Sequence, residues 1–177
     1  KGVVIEDALD GKVYEARGTI VINATGVFVD EILKMDDDAL LKTISPSQGI
    51  HIVVDKKFFP GEQALFIPRT DDGRVLFAVP FHDKVIIGTT DTSVDNPTAE
   101  PVALEEEVTF VINHFNRYVH TGLQRSDIKS VFAGLRPLVK VPGKKKTALL
   151  PRDHTIWVSK GGMVNISGGK WTTYRKM

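Results

Sequence analysis

The sequence predicts an α+β fold: an antiparallel β-sheet domain carrying one helix, flanked by two shorter strand–turn–helix pieces of α/β character. Three observations predict it. Gly49-Ile-His-Ile-Val-Val-Asp55, Ala64-Leu-Phe-Ile-Pro68, Val75-Leu-Phe-Ala-Val-Pro80 and Val85-Ile-Ile-Gly88 follow one another through turn clusters with no helix between them, as antiparallel strands do and βαβ units do not. Two further β-branched runs, Thr19-Ile-Val-Ile-Asn23 and Met163-Val-Asn-Ile166, each pass through glycine into a segment that can open a helix. The texture changes near Ser45, and the Gly161-Gly162 turn precedes the last strand. The expected organisation is therefore three stretches, 1–44, 45–160 and 161–177, the outer two belonging together.

In chain order, Asp10-Gly11 between Val3-Val-Ile5 and Lys12-Val-Tyr-Glu-Ala16 is a hairpin signal. Thr19–Asn23 reads as a parallel strand buried on both faces, and Val27 to Met35 as an amphipathic helix with Val29, Ile32 and Leu33 on one side. Asp36-Asp-Asp38 is a solvated acidic run, and adjacent aspartates diverge too much to hold a metal. After the four strands, Leu104, Val108, Val111, Ile112, Phe115 and Tyr118 recur at helical spacing behind Glu105-Glu-Glu107, whose charges suit a helix N-terminus. His114 on that helix reads as a packing or surface residue. Ile128-Lys-Ser-Val-Phe-Ala133 is a strand ending at Gly134-Leu-Arg-Pro137, and Thr155-Ile-Trp-Val-Ser159 is another. Lys144-Lys-Lys146 suits solvent as well as an anionic lipid or phosphate.

Composition narrows the function classes. A formal net charge of +1 in 177 residues gives no field that would gather nucleic acid, and no apolar run approaches the ~20 residues of a membrane span. With no cysteine, disulfides, thiol catalysis and thiolate metal sites are all absent. The chain lacks an initiator methionine and starts inside a strand pattern, which leads us to expect chain upstream of Lys1.

The glycine junctions carry the chemistry. A strand running through Gly168-Gly169 into Lys170-Trp-Thr-Thr-Tyr-Arg175 leaves backbone N–H groups aimed outward beside a mobile ammonium, a place for an anion or a polarised carbonyl. The same spacing also suits a plain strand-to-helix turn. Ser167-Gly-Gly-Lys-Trp-Thr-Thr-Tyr-Arg175, with Asn23-Ala-Thr-Gly26, Ile87-Gly-Thr-Thr-Asp91 and Ala133-Gly-Leu-Arg-Pro137 in order, resembles the FAD-dependent glycerol-3-phosphate dehydrogenases over essentially the whole chain, which corresponds to a central fragment of them.

The resemblance implies that the outer stretches belong to a two-dinucleotide-fold FAD-binding domain and the middle one to a substrate-binding domain. It implies FAD as cofactor, glycerol 3-phosphate as substrate, quinone as electron acceptor, and peripheral association with the cytoplasmic membrane. It places Ala24, Thr25, Gly26, Gly169, Lys170, Trp171 and Thr172 beside the flavin and Arg136 in the substrate pocket. Lys170 would add positive charge near both flavin and substrate. Oxidising an alcohol also needs a base, and His51, alternating with Ile50 and Ile52, is the candidate; a half-buried strand histidine is the alternative. Thr89-Thr90-Asp91 either lines the pocket or serves turn bonding. The glycine-rich pyrophosphate fingerprint is absent from these residues, so the isolated chain is expected to be colourless and inactive. Open alternatives are the corresponding oxidase, a related hydroxy- or amino-acid oxidoreductase, and a non-catalytic anion- or partner-binding module.

Overall fold

A computed structural model describes residues 1–36, 42–140 and 153–177. Most of the acidic run and Lys144–Lys146 lie outside the described residues. The chain divides into two compact units, one from Lys1–Ser45 with 137–140 and 153–177, the other from Pro46–Arg136. The fold is mostly β, with two α-helices among the described residues.

In the first unit, β1 (Gly2–Glu6) and β2 (Val13–Arg17) form the antiparallel hairpin, with Gly11 at φ +70°. β3 (Ile22–Asn23) is parallel to β11 (Val164–Gly168), and β10 (His154–Val158) closes this sheet in the order β10-β11-β3. β3 is therefore parallel, but it is two residues long and lies at the edge of its sheet. Within these 177 residues alone both faces are not buried, with Ile20 58% and Ile22 66% exposed. Gly26–Phe28 forms a 3-10 turn before α1 (Val29–Asp36), whose Val29 and Leu33 are buried. Because β10 pairs β11, residues 153–160 go with this unit rather than with the stretch 45–160.

In the second unit, β5 (Leu65–Ile67), β6 (Leu76–Phe81) and β7 (Lys84–Gly88) form an antiparallel meander, and β7 then pairs β4 (Ile44–Asp55). β9 (Ile128–Val139) also pairs β4. Period-two alternation puts Ile50, Ile52 and Val54 of β4, Leu76 and Ala78 of β6, and Val85 and Ile87 of β7 on one face. α2 (Glu105–Asn116) covers that face with Val108, Val111, Ile112 and Phe115. Each such side chain contributes about 1.5–3 kcal/mol of burial. The helix ends before Tyr118, which is half exposed. His114 is buried; its Nδ1 lies 2.8 Å from the Phe110 carbonyl, and Nε2 accepts from the Asp71 N–H at 3.1 Å.

Two expected boundaries move. β9 runs on through Gly134-Leu-Arg-Pro137 rather than stopping there, so Arg136 lies inside the strand. Pro137 lies within the strand as well, and among the described residues β9 pairs β4. The segment after Gly169 makes one 3-10 turn, Trp171–Thr173, rather than opening an α-helix.

Candidate active site

The second unit's candidate site begins with an irregularity in its sheet. β7 and then β8 (Thr92–Ser93) run antiparallel to β4; His51 faces Gly88, and the register resumes with Gln48 facing Thr92. Between those pairs, two residues of β4 stand against three of the partner, Thr89-Thr90-Asp91, which is a β-bulge. The Ile50 N–H, displaced from the ladder, donates to Thr90 Oγ1 at 3.1 Å. Such bulges re-aim side chains, and here the extra residue brings Thr89 and Asp91 to Arg136.

Arg136 Nη2 donates to Thr89 Oγ1 at 2.9 Å, and Nη1 lies 4.0 Å from the carboxylate of Asp91. Asp91 is itself largely buried; it accepts from the Ser47 hydroxyl and pairs with Arg74 Nε at 3.5 Å. The guanidinium lies against Gly49, where an added Cβ would collide with it. A β-strand glycine thus permits the close approach of a planar cation. The side chain is 24% exposed overall, with Nη1 buried.

His51 is the second group. Its ring stacks on Phe132 with centroids 5.1 Å apart and planes 13° from parallel, and a Cβ at Gly88 would strike its edge. Burial, and then the Arg136 guanidinium, hold its pKa below the ordinary histidine value. The imidazole is therefore neutral near pH 7, the state in which it can accept a proton. The structure brings His51, Arg136, Thr89 and Asp91 together in this unit.

The first unit holds the remaining candidates. β3 and β11 are parallel, so the turns that follow them leave from the same end of the sheet, the carboxyl end at which open α/β sheets bind ligands. Asn23 is buried and ties the first turn: its Nδ2 donates to the Val29 carbonyl at 3.0 Å and to Asn165 Oδ1 at 2.9 Å, and its Oδ1 accepts from Thr25 Oγ1 at 2.8 Å. Gly26 has φ +62° and open space where a Cβ would be. At the second turn, Gly168 and Gly169 have φ +79° and +83°, conformations that favour glycine. Lys170 N donates to Thr173 Oγ1 at 3.2 Å, and Trp171 is 88% exposed with Tyr174 stacked beside it at 6.0 Å. Ala24, Thr25, Gly26, Gly169, Lys170, Trp171 and Thr172 thus lie on or directly after two glycine turns at one sheet end.

Several contributors escaped the sequence reading. Asn23 and Asn165, polar residues ending or interrupting apolar strands, gave a usable signal. Gly49 and Gly88, glycines inside β-branched strands, gave another. Phe132, Ser47 and Arg74 gave none, because only the folded sheet brings them to His51 and Asp91.

Comparison with known proteins supplies the family. A family model described as "FAD dependent oxidoreductase" matches residues 1–175. The chain belongs to the FAD-dependent oxidoreductases. Within this family it is 39% identical, over 99% of its length, to the mitochondrial glycerol-3-phosphate dehydrogenase of Homo sapiens, and 38% identical to one from Arabidopsis thaliana. The chain spans about a quarter of those relatives, 24% and 28% respectively. A crystal structure of the glycerol-3-phosphate dehydrogenase from Bacillus halodurans complexed with FAD superposes with a TM-score of 0.84 at 35% identity, over 99% of this chain and 33% of that one. Among the described residues of this oxidoreductase chain, no helix is long and apolar enough to cross a membrane.

Proposed function

We propose that these 177 residues act as a segment of a longer FAD-dependent glycerol-3-phosphate dehydrogenase, in which the Pro46–Arg136 unit binds substrate and the other unit contributes to the flavin site. The observation that carries the reading is the pairing of a held guanidinium, Arg136, with a neutral imidazole, His51, close enough to feel its charge. The likeness to glycerol-3-phosphate dehydrogenases over nearly the whole chain supports the choice of substrate.

In this reading Arg136 takes the phosphate of glycerol 3-phosphate through its planar fork, with Thr89 and Asp91 fixing the direction of that fork. His51 accepts the proton of the secondary hydroxyl as the carbon gives up hydride and dihydroxyacetone phosphate forms. Bound FAD supplies the two-electron acceptor for that hydride. The residues present fit such a group at Gly26, which leaves open space beside the backbone at one strand end, while Gly168 and Gly169 take positive φ after the other. Ala24, Thr25, Gly26, Gly169, Trp171 and Thr172 would line it. Lys170 would set positive charge where the reduced ring gathers electrons. Quinone as the eventual electron acceptor, and a peripheral place on the cytoplasmic membrane, complete the proposal.

The test is anaerobic mixing of the FAD-loaded, full-length protein with glycerol 3-phosphate while the visible flavin absorbance is followed. Bleaching is expected. Bleaching only with a hydroxy or amino acid would overturn the substrate and leave the redox assignment.

A further inference from the structure

The Glu107 side chain takes no part in the chemistry above, yet it sits behind the bulge that aims Arg136. Glu107 is 4% exposed, and a buried carboxylate is costly unless donors surround it. Four do. Oε1 accepts from Thr90 Oγ1 at 2.9 Å and Thr92 Oγ1 at 2.6 Å; Oε2 accepts from Gln48 Nε2 at 2.7 Å and the Leu104 N–H at 3.0 Å. Those donors come from β4, from the bulge and the strand that follows it, and from the residue before α2. Burial pushes the carboxyl's pKa up, but the bonds from Thr92, Leu104, Gln48 and Thr90 outweigh it and leave the group below the ordinary glutamate value.

Thr90 carries the effect forward. Its hydroxyl gives its proton to Glu107 and accepts the Ile50 N–H that the bulge leaves without a ladder partner. Thr90 is flanked by Thr89 and Asp91, the two residues that meet the Arg136 guanidinium. Ile50 is flanked by Gly49, against which that guanidinium lies, and by His51. One carboxylate on the first turn of a helix therefore clamps the backbone on both strands beside the cation.

We propose that Glu107 is a positioning residue for anion binding: acting through Thr90, it fixes the bulge so that Thr89 and Asp91 hold the Arg136 fork toward the bound phosphate. This rests on the reading of Arg136 as the phosphate-binding group. A residue that merely anchors α2 would also be buried and bonded, so the test must ask whether Glu107 acts through Arg136.

Two measurements do so. In the FAD-loaded, full-length enzyme, Glu107→Gln, Arg136→Lys and the double variant are compared by steady-state kinetics with glycerol 3-phosphate. Glu107→Gln is expected to raise KM about tenfold with kcat within about twofold, and to raise KM less than about twofold further in the Arg136→Lys background. An unchanged KM, or the same factor in both backgrounds, overturns the proposal. In the full-length protein without flavin, the Arg136 Nε–H resonance is followed by NMR. Glu107→Gln is expected to shift and broaden it, whereas an unchanged resonance overturns the proposal. If glycerol 3-phosphate proves not to be oxidised but the resonance moves, the substrate reading fails and the positioning role stands. Thr90→Val, which removes the linking hydroxyl and keeps the carboxylate, is expected to act in the same direction in both measurements and decides the matter if Glu107→Gln does not fold.

Discussion

In the Pro46–Arg136 unit the candidate side chains stand on a sheet whose other face is packed by α2, whereas in the other unit the candidate groups are mainly backbone on glycine turns with little apolar cover. Ile50, Ile52, Val54, Val85 and Ile87 beneath His51 and Arg136 are inaccessible to solvent. Around the glycine turns, Ile22 and Val158 are about two-thirds exposed, and Trp171 more so. The difference separates two ways of holding a ligand. A charged side chain can be aimed only by a stiff scaffold and a satisfied polar network. Backbone N–H groups are aimed by φ and ψ alone, so glycines at positive φ suffice.

The largest expected effect would break this contrast if it failed. Ile52→Ala, in the packed sheet, should cost about 2–5 kcal/mol of unfolding free energy, while Ile22→Ala should stay within about 0.5 kcal/mol, both read from urea denaturation. Equal costs would mean that the two units are not built differently. Next in size is Gly49→Ala. The added methyl meets the end of a flexible side chain rather than backbone, so stability should change little while the guanidinium is displaced. KM for glycerol 3-phosphate should rise about tenfold with kcat nearly kept, as expected when binding alone is weakened. An unchanged KM would show that the fork need not lie against β4.

A smaller effect sharpens the electrostatics. His51 is held low first by burial and then by Arg136, so Arg136→Ala should raise its pKa while leaving it below 6.5, as read from the imidazole C–H shifts. The sign for stability follows. A histidine whose folded pKa lies below its unfolded value costs stability as pH falls below 6.5, and the full contribution is present only above that value. Removing Arg136 should therefore flatten that part of the pH dependence of unfolding. A His51 pKa that stays put would separate the two groups.

Much of the second unit was legible in the sequence because its signals are periodic. Alternation marked the strands, and helical spacing with Glu105-Glu-Glu107 marked α2. The bulge was not legible, since it exists only in the register between β4 and β7–β8, and registers are set by pairing across the chain. Glu107 was hidden for a related reason. It read as one of three acidic residues suited to a helix dipole, and nothing local tells the inward-facing one from its solvated neighbours. The strand was expected to stop beside Arg136, yet β9 runs on past it, because where a strand ends is decided by pairing across the chain. In the first unit the two asparagines that tie β3, α1 and β11 together stood in plain view within apolar runs. Their partnership spans 142 residues of sequence.

Arg136 is the group on which the proposed substrate site depends most. Anaerobic reduction of the FAD-loaded, full-length Arg136→Ala variant by glycerol 3-phosphate, across a range of substrate concentrations and beside the unaltered enzyme, tests it most directly. The expected result is retained flavin with half-saturation displaced to at least about a hundredfold higher substrate, the loss of a charged contact being worth several kcal/mol. Reduction that saturates at the same concentration as the unaltered enzyme would contradict it.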